Sequence, residues 1–232
     1  MAAAVFAARI LYGAMSNEHG DWTQMLVILA VASLLIGNLA AIMQTNIKRM
    51  LAYSTVSHMG FVLMGFLGGS VSFSSGLYYA LTYVATALVG FGVLMQLSDE
   101  NAECENISDL AGLNQRNAWY AFLMLLTMFS MAGIPPLVGF YAKLQVIQML
   151  VGKGYVWLAV FAVVMSLIGA FYYLRVVRTI YFEEPADSRR LSSDGAMKVL
   201  LSANGLLLLL WGVLPQGVMD WCVQAIRTTT GW

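Results

Sequence analysis

Long apolar runs, separated by short polar stretches, make up most of this chain. An α-helix needs about 20 apolar residues to cross the roughly 30 Å hydrocarbon core of a bilayer, and most of the runs are close to that length. The pattern predicts an all-α, polytopic transmembrane helix bundle with about six full spans. The expected spans are about Trp22–Met43, Met50–Leu67, Ser70–Leu97, 118–150, Tyr155–Ile180 and Met197–Leu214.

The run at about 118–150 is too long for one simple span. At about 1.5 Å per residue it would be on the order of 48 Å long as a continuous helix. Pro135 and Pro136 lack the backbone N–H and crowd the preceding turn, and Gly133 and Gly139 flank them. We therefore expect two helical pieces joined by a break at Pro135–Pro136. Non-helical backbone at membrane depth persists only where protein or water satisfies it, and broken membrane helices are typical of ion pathways.

The two ends of the chain do not fit the pattern of full spans. Residues 1–15 are apolar but too short to span and include Arg9, so we expect a truncated helix remnant there. The tail from about 216 to 232 is weakly amphipathic and is expected to lie at the membrane interface. The sequence has no short-period repeat and no linker, so residues 1–232 are predicted to form a single membrane domain.

Composition narrows the function to transport. Some 60% of the residues are hydrophobic and 10% are charged, and the mean hydropathy is +0.75, so the expected surroundings are a lipid bilayer. A net charge of zero gives no reason to expect a nucleic-acid partner. We find no metal-ligand cluster, glycine-rich phosphate loop or nucleophile–base pair, so no metal or cofactor is expected in this chain. Of the function classes considered, the movement of protons or ions is the one that remains.

Basic residues predict the orientation. The expected spans place Lys153 and Arg227 on one face of the membrane. The opposite face collects Lys48, Arg49, Arg116, Arg175, Arg178, Arg189, Arg190 and Lys198. The positive-inside rule makes the second face cytoplasmic and puts the C-terminus outside. Cys104 and Cys222 then lie on opposite faces, so no disulfide is expected.

Lys143 follows the predicted break and lies deep inside an apolar run. Burial removes solvent from an ammonium and eases the loss of its proton, which a proton relay requires. The alternative is a structural plug, in which the ammonium only caps carbonyls that the break leaves free. The cost of placing a lysine inside the membrane favours the relay. Because no Asp or Glu falls within a predicted span, the partner charge must come from elsewhere.

His58 is the second candidate for proton movement. Its imidazole titrates near neutrality and can pass protons, but a neutral histidine that only holds helices together is an equal alternative. A polar stripe on the same span supports a file of water molecules, or packs between helices. The stripe consists of Tyr53, Ser54, Thr55 and Ser57.

Lys48 and Arg49 lie at the predicted membrane edge. Such residues mostly signal topology and extend toward the headgroups; a role for Lys48 where protons enter is the alternative. The acidic loop Glu100–Asp109 is read either as a solvated connection or as a docking surface for a partner.

Several motifs together resemble the antiporter-like subunits of respiratory complex I, the NADH–quinone oxidoreductase. Residues 46–60, Asn-Ile-Lys-Arg-Met-Leu-Ala-Tyr-Ser-Thr-Val-Ser-His-Met-Gly, look like the family signature. Ser-Asp-Leu-Ala-Gly-Leu at 108–113, Met-Ala-Gly-Ile-Pro-Pro at 131–136, and Gly139-Phe140 with Lys143 are also similar to the family. A lysine on the broken helix resembles one subunit type, whereas its two sister types carry an acidic residue there. The nearest relative outside complex I is a cation/proton antiporter subunit of the Mrp type.

The resemblance implies a fold and a role. The family subunit has fourteen helices in two inverted repeats, each with a broken helix, and this chain would hold the second repeat and the terminal helices. Lys143 would be the terminal lysine of the outward half-channel, and His58 and Lys48 would connect it to the central axis. Quinone, NAD, FMN and iron–sulfur clusters would belong to partner subunits of a complex in the bacterial inner membrane.

The departure from the family pattern limits these expectations. The family protein is roughly twice this length, and the first seven helices, with their Glu–Lys pair, have no counterpart here. The central lysine of the helix ending near Met15 is also absent. We expect a lone second half to hold at most one half-channel and not to pump by itself. A non-conducting structural fragment remains the alternative of a different class.

Overall fold

The computed structural model describes residues 5–7, 10, 19–68, 73–98, 103–185 and 195–230. Most of the expected helix remnant 1–15 lies outside these ranges, as do Arg9, Glu100, Arg189 and Arg190. The main helices are α1 His19–Ile42, α2 Ile47–Gly65, α3 Phe73–Leu97, α4 Ala118–Ala132, α5 Val138–Gly152, α6 Val156–Phe182, α7 Gly195–Val213 and α8 Gln216–Thr230. A 3₁₀ turn Ile107–Leu110 and a helical turn Leu113–Arg116 lie between α3 and α4.

The predicted all-α membrane bundle is confirmed. Among the described residues, α1 (from Trp22), α3, α6 and α7 are long and apolar enough to cross a membrane. Helix α2 has 19 residues and carries the polar stripe. Helices α4 and α5 have 15 residues each, so each is shorter than a span, and together they form the predicted broken span.

The break follows from glycine and proline chemistry. Helix α4 ends at Gly133, whose φ of 87° lies in the left-handed region that favours glycine. The N–H groups of Gly133 and Ile134 both donate to the Phe129 carbonyl, at 3.0 and 2.9 Å, and close the helix end. A cis peptide joins Pro135 to Pro136, and α5 begins two residues later at Val138.

Helix α3 occupies the centre of the bundle. It packs against α2, α4, α5, α7 and α8, while α6 packs against α1 and α4. The far end of α7 touches the break, because a Cβ atom added at Gly212 would lie 2.0 Å from the Pro136 carbonyl oxygen. Helix α7 therefore covers one side of the break, while Pro135 and Pro136 themselves stay exposed.

Most of the described basic residues lie at one end of the bundle, where an ordered loop holds the helix ends together. Ile47 N–H donates to Glu105 O at 2.7 Å, Ile107 N–H donates to Thr45 O at 2.9 Å, and Gly112 N–H donates to Thr179 O at 3.2 Å. The alternating direction of the helices puts the turn after α5, with Lys153, at the opposite end.

Two features go beyond the sequence-based prediction. Arg175 donates to the carbonyls of Ile42 at 3.1 Å and Gln44 at 2.6 Å, so it closes the C-terminal end of α1. The amphipathic tail forms α8, which begins after Pro215 and packs on α3. Its buried stripe consists of Val218, Cys222 and Ile226.

Candidate functional site

A small cavity lies where α2, α3, α4 and α5 meet. Its volume is about 10 Å³, roughly the space that one water molecule needs. His58 and Lys143 both line it. The remaining lining residues are Tyr79, Thr82, Tyr83, Thr86, Ser130, Met131, Gly139 and Ala142.

Lys143 joins α5 to the end of α4 and to α6. Its ammonium donates to Met131 O and Ala132 O, both at 2.9 Å, and to Ser166 Oγ at 2.7 Å. The two carbonyls belong to the last turn of α4, the negative end of that helix dipole. The ammonium also lies 5.6 Å from the centre of the Phe61 ring. The hydrogen bonds to the α4 carbonyls are those expected of a structural plug. The side chain also lines the cavity, as a proton relay requires.

His58 lies between two tyrosines. Its Nδ1 is 2.8 Å from the Tyr79 hydroxyl and its Nε2 is 2.9 Å from the Tyr173 hydroxyl. The Tyr83 ring packs beside it, with 4.6 Å between ring centres. In a neutral imidazole one nitrogen donates and the other accepts, so both ring nitrogens have suitable partners.

A hydrogen-bonded network continues from His58 toward α1. Tyr173 packs beside Tyr172, with 4.4 Å between ring centres. The Tyr172 hydroxyl donates to Asn38 Oδ1 at 3.1 Å, and Asn38 Nδ2 donates to Ser57 Oγ at 3.0 Å. These buried polar groups of α1, α2 and α6 therefore have hydrogen-bond partners, as most polar groups in a core do.

The predicted polar stripe divides between these surroundings. Thr55 Oγ1 is 2.5 Å from the Tyr83 hydroxyl, so it reaches the cavity wall through that ring. Ser57 belongs to the network described above, and buried Ser54 donates to Leu51 O at 2.7 Å. Tyr53 is 39% exposed and does not line the cavity.

Lys48 does not reach the cavity. It forms an ion pair with Glu103 at the basic end of the bundle, and ten residues of α2, roughly 15 Å of helix, separate it from His58. The hydrogen bond to Glu103 raises the pKa of Lys48 and holds the pKa of the Glu103 carboxyl below its usual range. The structure thus brings Lys143 and His58 together and leaves Lys48 apart, and its part in a proton pathway stays a prediction.

Both glycines at the break make room for close contacts. A Cβ atom at Gly139 would lie 1.8 Å from Ser130 O, so this glycine lets α5 cross α4 closely. A Cβ atom at Gly133 would lie 2.9 Å from Lys143 Cδ. The break and the lysine therefore form one unit, in which the glycines admit the side chain that caps the helix end.

Sequence reasoning missed the contribution of α3. Four of the cavity residues, Tyr79, Thr82, Tyr83 and Thr86, follow the i, i+3, i+4, i+7 spacing of one helix face. That spacing is readable from the sequence. Tyr173 and Ser166 had no such signal, because their roles depend on how α6 packs against α2 and α5. Within the described residues no group of three or more His, Cys, Asp or Glu side chains could hold a metal ion.

The chain belongs to the NADH:quinone oxidoreductase/Mrp antiporter transmembrane family, whose model matches residues 1–169. Its sequence is 65% identical to NADH-quinone oxidoreductase subunit N of Neisseria gonorrhoeae over 99% of this chain and 48% of that protein. It is 56% identical to subunit N of Laribacter hongkongensis over 100% of this chain and 48% of that protein. The predicted resemblance, to the C-terminal half of subunit N, is confirmed. The chain spans about half the length of these relatives.

Solved structures agree with the fold. Respiratory complex I from Thermus thermophilus with bound Aureothin contains a chain that is 28% identical, with a TM-score of 0.73 over 85% of this chain and 45% of that chain. The Mrp complex from a Dietzia species gives a TM-score of 0.87 at 21% identity, over 98% of this chain and 51% of that chain, which is a likeness of fold alone.

Proposed function

We propose that this chain supplies a proton half-channel to a bacterial proton-translocating NADH:quinone oxidoreductase, with Lys143 as the group that carries the proton. The observation that supports this most directly is the cavity that Lys143 shares with His58. A buried ammonium and a buried imidazole at one cavity provide two groups that exchange protons, whereas an apolar packing site needs neither.

His58 would deliver protons to the cavity. Tyr79 and Tyr173 each face one ring nitrogen, so the imidazole can accept a proton at one nitrogen and release one at the other. Lys143 would take the proton through water in the cavity and release it outward when a neighbouring charge changes. The Ser166 hydroxyl suits both states of the lysine, because it accepts a hydrogen bond from the ammonium and donates one to the neutral amine.

The redox reaction would take place in partner subunits, which would hold NAD, FMN, iron–sulfur clusters and quinone. The other membrane subunits of the complex and the lipid bilayer would surround this chain in the bacterial inner membrane. The basic end would face the cytoplasm and the C-terminus would lie outside. Because the chain spans about half of its relatives' length, we do not expect it to pump protons alone.

One specific observation favours a second candidate, a structural role. Two of the three hydrogen bonds of Lys143 go to carbonyls in the last turn of α4, as they would for a cation that only closes this helix end. Arginine separates the two roles, because a guanidinium still donates to carbonyls but does not release its proton.

The test uses Lys143→Arg and Lys143→Ala in the complete subunit within the assembled complex, reconstituted in vesicles. Lys153→Ala is the matched control, since Lys153 is an exposed lysine on the turn after α5. We expect both Lys143 variants to lower NADH-driven proton uptake by about a hundredfold or more, the size typical of losing a proton-transfer group. Lys153→Ala should leave proton uptake unchanged.

The outcomes separate the alternatives. Normal proton uptake in an assembled Lys143→Arg complex would overturn the relay and support the structural plug. Sodium-dependent transport that needs neither NADH nor quinone would instead favour an Mrp-type antiporter subunit. Native gel electrophoresis of each variant shows whether the complex has assembled.

A further inference from the structure

Tyr78 carries a buried hydroxyl without a partner. This residue of α3 has a fully buried side chain, and its hydroxyl oxygen makes no hydrogen bond. Within the described part of the chain, the only other buried hydroxyl without a hydrogen bond is that of Tyr120. A buried polar group without a hydrogen bond is unfavourable, so a phenylalanine would suit a purely apolar environment better at either site.

The two tyrosines have different surroundings. Tyr78 precedes Thr82 by one helical turn, roughly 6 Å along α3, and Thr82 lines the cavity with Lys143. Tyr120 lies in the first turn of α4, at the basic end of the bundle. Tyr78 therefore lies one helical turn beyond the cavity lining, on the side away from the basic end.

Tyr78 also contacts α5 and lies near α8. Its ring meets the Tyr141 ring edge-on, with 5.6 Å between centres, and Tyr141 precedes Lys143 by two residues on α5. Helix α8 packs on α3, and the Cys222 thiol on its buried stripe lies close enough to interact electrostatically with Tyr78. Asp220, two residues before Cys222, is on the exposed side of α8.

We infer that Tyr78 conducts protons on the outward side of the cavity, between Lys143 and the surface covered by α8. The inference rests on the proposed function and names the next group in its path. Water on the cavity side gives a hydrogen to the Tyr78 oxygen while the original O–H hydrogen passes to water on the outer side. Tyrosine is neutral before and after, no electron is transferred, and rotation about the C–O bond restores the starting state.

Tyr78→Phe and Tyr120→Phe form a matched pair in the complete, assembled complex. Each removes one unpartnered hydroxyl from a fully buried ring, so neither is expected to reduce assembly. We expect Tyr78→Phe to lower NADH-driven proton uptake by about a hundredfold and Tyr120→Phe to leave it unchanged. Tyr78→His, which restores a group that passes protons, should regain part of the uptake.

Equal proton uptake in the two phenylalanine variants would overturn the inference. Equal loss in the assembled Tyr78→Phe and Tyr78→His variants would also overturn it, since that result indicates a packing role. Lys143→Arg, measured in parallel, distinguishes failure of the Tyr78 inference from failure of the proposed function. If Lys143→Arg loses uptake and Tyr78→Phe does not, only the inference fails; if Lys143→Arg pumps normally, the proposed function fails.

Discussion

Lys143 and Arg175 perform the same structural task at two helix ends. Lys143 donates to two carbonyls of the last turn of α4, which the helix leaves without intrahelical partners. Arg175 donates to the carbonyl of Ile42, the last residue of α1, and to that of Gln44 just beyond it. The residue types suit the two positions. Arginine stays charged and fixes α1, whereas lysine can lose its proton and stands at the cavity that contains His58.

Gly139 is the residue at which the smallest change should have a large effect. Alanine there would place its Cβ 1.8 Å from Ser130 O, so α4 and α5 would have to separate. We expect Gly139→Ala to destabilise the assembled protein by at least about 1–3 kcal/mol, the usual cost of overpacking. A lowered midpoint of thermal aggregation in detergent would measure this loss.

Gly152→Ala is the matched control. Gly152 also belongs to α5, but a Cβ there meets nothing within 4 Å. Because alanine favours the helix more than glycine does, this variant should be unchanged or more stable by about 0.5–1 kcal/mol. Equal loss of stability in both variants would contradict the close crossing at Ser130.

The sequence predicts individual site residues where chemistry and position coincide. Lys143 stands out because a lysine in an apolar run is costly, and Pro135 and Pro136 mark the break because neither continues a helix. The partners of His58 were not predictable in the same way. Tyr173 is 115 positions away in the chain, and only the packing of α6 on α2 brings it to the imidazole.

At the scale of elements, Arg175 is the connection between α6 and α1. Alanine at this position leaves the carbonyls of Ile42 and Gln44 without their charged donor. Hydrogen bonds to charged groups contribute about 1.5–3 kcal/mol, so we expect Arg175→Ala to destabilise the protein by about that amount.

Arg178→Ala provides the comparison for Arg175→Ala. It removes a basic residue from the same helix, but its side chain is exposed, so its effect should stay within about 0.5 kcal/mol. The thermal midpoint of each purified complex gives the measurement. Equal midpoints would mean that the end of α1 needs no cap.

The sequence predicted that the helices exist, but the residues at which they begin and end depend on capping contacts. The predicted span Met50–Leu67 corresponds to α2, Ile47–Gly65, whose earlier start follows from Asn46, because this side chain accepts a hydrogen bond from Arg49 N at 2.9 Å. The amphipathic tail was predicted without a helix assignment. Its apolar stripe is buried because α8 packs on α3, and the sequence does not show this contact.

At the scale of the whole molecule, the charge asymmetry predicts the orientation in the membrane. Lys48 and Lys198 lie at the basic end, and Lys153 lies on the turn at the other end. We expect Lys153→Cys to react with a membrane-impermeant maleimide from outside, and Lys198→Cys to react only in inverted vesicles. Background labelling is removed by Cys104→Ser and Cys222→Ser, since both native cysteines are free and buried. The opposite labelling pattern would reverse the proposed orientation.

The contacts of Lys143 have a mechanical consequence. The ammonium that would carry the proton also ties α5 to the last turn of α4 and to α6. Proton binding and the geometry of the break are therefore thermodynamically linked, and such a linkage acts in both directions. A force that draws α5 away from α4 would change the affinity for the proton, and loss of the proton would weaken the tie. If Lys143 carries the proton as proposed, the broken span would act as a transducer, through which movement elsewhere in an assembly is exchanged for proton transfer.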